Sequence, residues 1–107
     1  MSDKIRLLND TFRLDPLKWG RLMTTAGLNA KGQQFANKAV MAARTFDAFT
    51  RANDPHGEHD FASFDVDGTT CFFKIDCYDK NLQYGSPDPE DPTVTTRVMT
   101  VALMSEY

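Results

Sequence analysis

The segment Asn53–Phe61, "NDPHGEHDF", holds both histidines of the chain together with Asp54, Glu58 and Asp60, a proline and a glycine. Imidazole nitrogens and carboxylate oxygens converging at about 2 Å from a point make a zinc-type site. A histidine beside carboxylates is also the common general acid or base near neutral pH. His56, Glu58 and His59 are therefore the candidate catalytic residues, and His56, His59 and Asp60 the candidate metal ligands. The spacing is not the helical H-E-x-x-H of metalloproteases. Pro55 and Gly57 oppose a helix, and in a strand residues three apart point to opposite sides. A turn explains the same residues: Asp54-Pro55 stops a helix, Gly57 permits a positive φ, and a histidine just past a helix meets its free carbonyls. No nucleophile pairs with the imidazoles, so the turn reading outweighs the catalytic one and no cofactor is expected.

Two further groups of residues offer surfaces for binding. Phe72, Lys74 and Tyr78 fall on one face of an expected strand, interleaved with Asp76, although burial of those rings under the first helix is the favoured reading of this face. The proline-rich stretch Asp79–Pro92 carries Asp88, Glu90 and Asp91. Oxygen ligands of this kind suit Mg²⁺ or Ca²⁺, but the spacing is not that of an EF-hand loop. A solvated loop, or a negative surface for a basic partner, fits better.

The elements that must position these groups follow from periodicity. Ile5, Leu8 and Phe12 predict a helix with Ser2 as N-cap, ended by Asp15-Pro16. Trp19–Thr25 reads as a strand and Gly27 as the turn after it. A long helix is expected from a cap at Asn29 to the stop at Asn53-Asp54-Pro55. Its apolar stripe would be Phe35, Ala39, Ala42, Phe46 and Phe49, with Met41 on the opposite face. Asp67-Gly68 is the signature of a type I′ hairpin turn, pairing Val66 with Thr69, Phe64 with Cys71 and Ala62 with Phe73. That register puts Ala62, Phe64, Val66, Cys71, Phe73, Ile75 and Cys77 on one apolar face, which the long helix would cover. "TVTTRVMTVALMSEY" reads as a closing strand, with helix the competing assignment for its end. The expectation is one α+β domain, 1–107, of order α-β-α-β-β-β, with a small antiparallel sheet of three to four strands.

Composition limits the function classes. Net charge is −3 with no basic stripe, which disfavours direct contact with nucleic acid. No apolar run approaches the roughly 20 residues that span a bilayer, and the N-terminus lacks the apolar run of a signal peptide, so a cytoplasmic protein is expected. Cys71 and Cys77 lie six positions apart in one expected strand, too far for a mutual disulfide.

At "NDPHGEHDFASFDVDG", "FFKIDCYDKNLQYGSPDPEDPTVTTRVMT" and the closing "SEY" the chain resembles a family of small uncharacterised bacterial proteins. They are classed as a domain of unknown function and met mostly in alphaproteobacteria, often on plasmids and other mobile elements. The resemblance runs from about Ile5 to Tyr107 and implies a cytoplasmic, stand-alone domain without an assigned activity. It also brings context, since accessory proteins of mobile elements often bind a host or rival protein. The leading expectation is a non-enzymatic protein acting by protein–protein contact, with homodimer formation through the closing strand's edge a further possibility. The alternative is a small metal-dependent or acid/base hydrolase or nuclease centred on His56, Glu58 and His59.

Overall fold

The computed structural model describes residues 3–107; the cap expected at Ser2 lies outside them. Helix α1 (Asp3–Leu14) has an acid in its first turn and Arg13 in its last, each beside the end of the helix dipole that it favours. Pro16 opens the short α2 (Pro16–Trp19), where its missing N–H costs nothing. Next come β1 (Gly20–Thr24), α3 (Ala26–Ala30) and α4 (Gln33–Thr45). Strands β2 (Phe61–Val66), β3 (Thr69–Tyr78) and β4 (Thr96–Leu103) follow, then a 3-10 turn at Met104–Glu106. Gly27, expected in a turn, lies inside α3, which Thr25 caps by accepting the Leu28 N–H at 3.3 Å.

The four strands form one sheet in the order β1-β4-β3-β2. β2–β3 and β3–β4 are antiparallel, as expected, but β1 pairs parallel with β4, so the sheet is mixed. Parallel neighbours need a long connection, and the whole of residues 25–95 separates these two. This order also removes the edge expected on the closing strand: β4 is interior, and the edges belong to β1 and β2.

The β2–β3 hairpin has the register that the sequence predicts, with Val66 opposite Thr69, Phe64 opposite Cys71 and Ala62 opposite Phe73. Asp67 and Gly68 both have positive φ, 51° and 85°, as a type I′ turn requires. Cys71 is buried and Cys77 half-buried, and both are free thiols.

α4 is shorter than expected. It begins after Gly32, leaving Asn29 within α3, and it ends at Thr45 rather than near Asn53. Phe46 leaves the helix at φ −59°, ψ 130° and turns inward, packing edge-on against Phe49 and Phe73. The stripe that faces the sheet is Ala36, Ala39 and Ala43, with Phe35, Val40 and Ala42 at its margins. Small alanines let the helix lie close to the sheet, and the phenylalanines fill the space past its end. Met41 is exposed.

Two arginines tie α1 to α4 by capping each other's helices. Arg13 Nη1 donates to the Ala43 and Phe46 carbonyls at 2.8 and 2.9 Å, at the end of α4. Arg44 Nη2 donates to the Leu14 carbonyl at 2.6 Å, at the end of α1. Each places a cation where the last helical carbonyls lack partners. Among the described residues no helix is long and apolar enough to cross a membrane.

Candidate functional site

The histidine segment is a compact turn wrapped around Asp54. The Asp54 N–H donates to the Thr50 carbonyl at 2.8 Å, and its own carbonyl accepts the Gly57 N–H at 3.0 Å. Both carboxylate oxygens accept the His59 N–H, at 3.3 and 3.4 Å. The reversal requires left-handed backbone at Gly57 (φ 66°) and at His59 (φ 57°). Gly57 reaches that region freely, whereas the Asp54 carboxylate helps to hold His59 there.

The two imidazoles have separate environments. His59 is half-buried, with Nδ1 2.9 Å from Asp10 Oδ1 and Nε2 3.6 Å from Asp54 Oδ2. Its ring stacks on Phe49, centroids 3.8 Å apart and planes 6° from parallel. His56 is exposed and makes no hydrogen bond or ion pair among the described residues. Glu58 contributes its backbone: its carbonyl accepts Asn9 Nδ2–H at 2.9 Å. Asp60 accepts the Ile75 N–H through its carbonyl at 2.8 Å, and burial pushes its carboxyl above the usual range. The structure thus joins His59 to Asp10 and Asp54 rather than to His56. Among the described residues no group of three or more His, Cys, Asp or Glu is arranged to hold a metal ion.

Behind the turn lies a buried polar network built from residues that sequence reasoning left unassigned. Asn9, Arg13 and Arg97 are all at least nine-tenths buried. Asn9 Oδ1 accepts Arg97 Nε–H at 2.7 Å while its amide holds the histidine turn. Arg13 reaches Asp10 through Nη2 at 3.0 Å, and its guanidinium lies over the Phe49 and Phe73 rings, 5.1 Å from each centroid. A signal was present: Asn9, Phe12 and Arg13 share one helical stripe, so the two polar side chains had to go inward with the phenylalanine.

The other candidates divide between surface and interior. Phe72 is not available to a partner. It is 6% exposed, sandwiched by Phe61 at 5.6 Å and Tyr107 at 5.3 Å, so the chain's own C-terminus covers this part of the outer sheet face. Lys74 is exposed and pairs with Asp76 at 3.1 Å, and Tyr78 is half-buried. In the acidic loop the carboxylates cap nearby backbone instead of converging. Asp88 accepts the Glu90 N–H at 3.1 Å, and Asp91 accepts the N–H and hydroxyl of Thr93 at 2.9 and 2.6 Å. Those bonds hold the Asp91 carboxyl below the usual range.

A family model described as a protein of unknown function, DUF3768, matches residues 24–106. The chain belongs to that family. No curated protein and no solved structure matches it. The DUF3768 match takes in the histidine turn, the hairpin and the acidic loop, but not α1, which supplies Asn9, Asp10 and Arg13 to the network.

Proposed function

We propose that this DUF3768 protein works in the cytoplasm by binding another protein, as an accessory or inhibitor factor of a mobile element, and that its histidine turn is structural. The observation that carries the reading is an exposed apolar stretch in the first two helices. Leu7, Leu14, Leu17 and Trp19 are four large apolar side chains within thirteen positions, all turned to solvent. Leu7 and Leu14 are seven residues apart on α1 and so share one face. Exposed hydrophobes grouped along one segment, with an aromatic among them, are common anchors of protein contacts. The arrangement of the histidines supports the same reading, since His59 is tied to Asp10, Asp54 and Phe49.

The test is affinity capture by the full chain from its own host, beside a Leu14→Ser/Leu17→Ser variant whose fold is verified by circular dichroism. A stoichiometric protein held by the parent and lost from the folded variant is the expected result. Capture that is indifferent to the variant, or no stoichiometric protein at all, overturns the reading.

A further inference from the structure

Arg97 is 4% exposed and has no carboxylate partner among the described residues. Its Nε donates to Asn9 Oδ1 and its Nη2 to the Pro89 carbonyl at 2.8 Å, both neutral acceptors. Nη1 has no hydrogen-bond partner among the described residues, and it is not among the polar atoms sealed from solvent. A buried guanidinium without an anion is costly, and such charges are ordinarily paired. The open space beside Arg97 is a cleft of about 390 Å³ between α1, α2 and the end of the acidic loop. That volume suits a small ligand.

The lining combines charge with a flat apolar wall. Lys18 and Lys80 join Arg97, while Phe12, Trp19 and Pro92 supply apolar surface, and no carboxylate lines the cleft. Lys18 Nζ stands 5.2 Å from the Trp19 ring centroid, so the ring and a cation already face one another. Asp91, next to Pro92, accepts from Thr93 through one carboxylate oxygen and lies within electrostatic reach of Lys80 but outside the lining, leaving Arg97 without a carboxylate partner among the described residues. Three cations and no carboxylate around one cleft run against a chain whose net charge is −3.

We propose that this cleft binds a small anionic ligand, a carboxylate or phosphate group carried on a flat apolar body. The anion would meet Arg97 Nη1 and the Lys80 ammonium, and the ring would lie against Trp19. Charge-assisted bonds to a guanidinium are the strong ones, and here they would also neutralise the unpaired buried cation. This site shares Trp19 with the protein contact proposed above, but it is argued from Arg97 and does not depend on that contact.

Trp19 is the chain's single tryptophan, so its fluorescence reports on the cleft directly. The full chain would be titrated with phenyl phosphate and with benzoate, using benzamide as the uncharged control and calorimetry as a second readout. Saturable binding with a Kd of about 1 mM or tighter, at least tenfold tighter than benzamide, is expected for one or both anions. The ratio of phenyl phosphate to benzoate shows which anion the site prefers. Lys18→Gln/Lys80→Gln should weaken binding at least about fivefold, and Arg97→Gln should abolish it, as loss of charge-assisted bonds implies. If Arg97→Gln does not fold, the exposed-lysine double variant decides. No saturable anion binding up to about 10 mM, benzamide binding as tightly as the anions, or an unchanged affinity in the lysine double variant each overturns the site.

Discussion

His59 and His56 lie three positions apart, and their surroundings make opposite predictions for the same substitution. His59 lies flat on Phe49 and reaches Asp10 and Asp54, so removing the ring takes away an aromatic contact and one partner from each of two carboxylates, which keep Arg13 and the His59 backbone N–H respectively. His59→Ala should cost about 1–3 kcal/mol of stability, because a lost ring stack and a lost hydrogen bond to a carboxylate each contribute on that scale. His56 is exposed and makes no hydrogen bond or ion pair among the described residues, and His56→Ala should change stability by less than about 0.5 kcal/mol, as exposed substitutions usually do. Urea denaturation of the two single variants checks both. Equal losses would mean that the rings share a role, and would revive the paired acid/base or metal site that their sequence spacing first suggests.

Elements in this protein are joined by single polar side chains placed at their ends, and Glu106 is the clearest case. Its carboxylate accepts the Thr25 hydroxyl at 2.6 Å, the Gly27 N–H at 3.0 Å and the Leu103 N–H at 3.0 Å. It therefore fastens the C-terminal turn to the first turn of α3, where free amides favour a negative charge. Gly27 leaves room for it: a Cβ at that position would meet the carboxylate. The Thr25 hydroxyl first, and the Leu103 amide next, hold the Glu106 carboxyl below the usual glutamate range. A depressed folded value means that the stabilisation is complete above the unfolded value and disappears as pH falls through the folded one. Amide exchange in residues 104–107 should accelerate across that acid window. Thr25→Val should raise the Glu106 value toward that of an ordinary glutamate in a carboxyl NMR titration, and an unmoved titration would show that Thr25 does not set it. This link between distant elements left no local trace in the sequence. The hairpin was legible because Asp67-Gly68 and a largely alternating apolar pattern both act between near neighbours. The end of α4 was not, because Phe46 leaves the helix to pack on Phe73 and no local breaker marks the place. The histidine turn was legible as a turn, yet its partners Asp10 and Asn9 lie on a helix some fifty positions earlier.

At the scale of the whole molecule, the first two helices and β1 complete a fold whose remainder is incomplete without them. Phe12 is fully buried in the main core, Arg13 caps the end of α4, and Asn9 holds both the histidine turn and Arg97. β1 pairs along one side of β4, which would otherwise present a long apolar edge. Yet the family match begins only at residue 24, inside the last position of β1. A chain cut to residues 24–107 keeps the hairpin, β4 and α4 but loses one sheet neighbour and a large core side chain. It also uncovers Arg97, whose Nε would lose the Asn9 oxygen. Phe12 alone accounts for about 3–5 kcal/mol on the scale of phenylalanine-to-alanine core deletions, a large part of the 5–15 kcal/mol that holds a small domain together. The truncated chain should therefore be unfolded or molten at 25 °C, with collapsed amide dispersion in a proton–nitrogen correlation spectrum, while the full chain gives sharp, dispersed peaks. A cooperative thermal transition in the 24–107 fragment would show that the matched segment is a domain in its own right, with α1, α2 and β1 an appended layer.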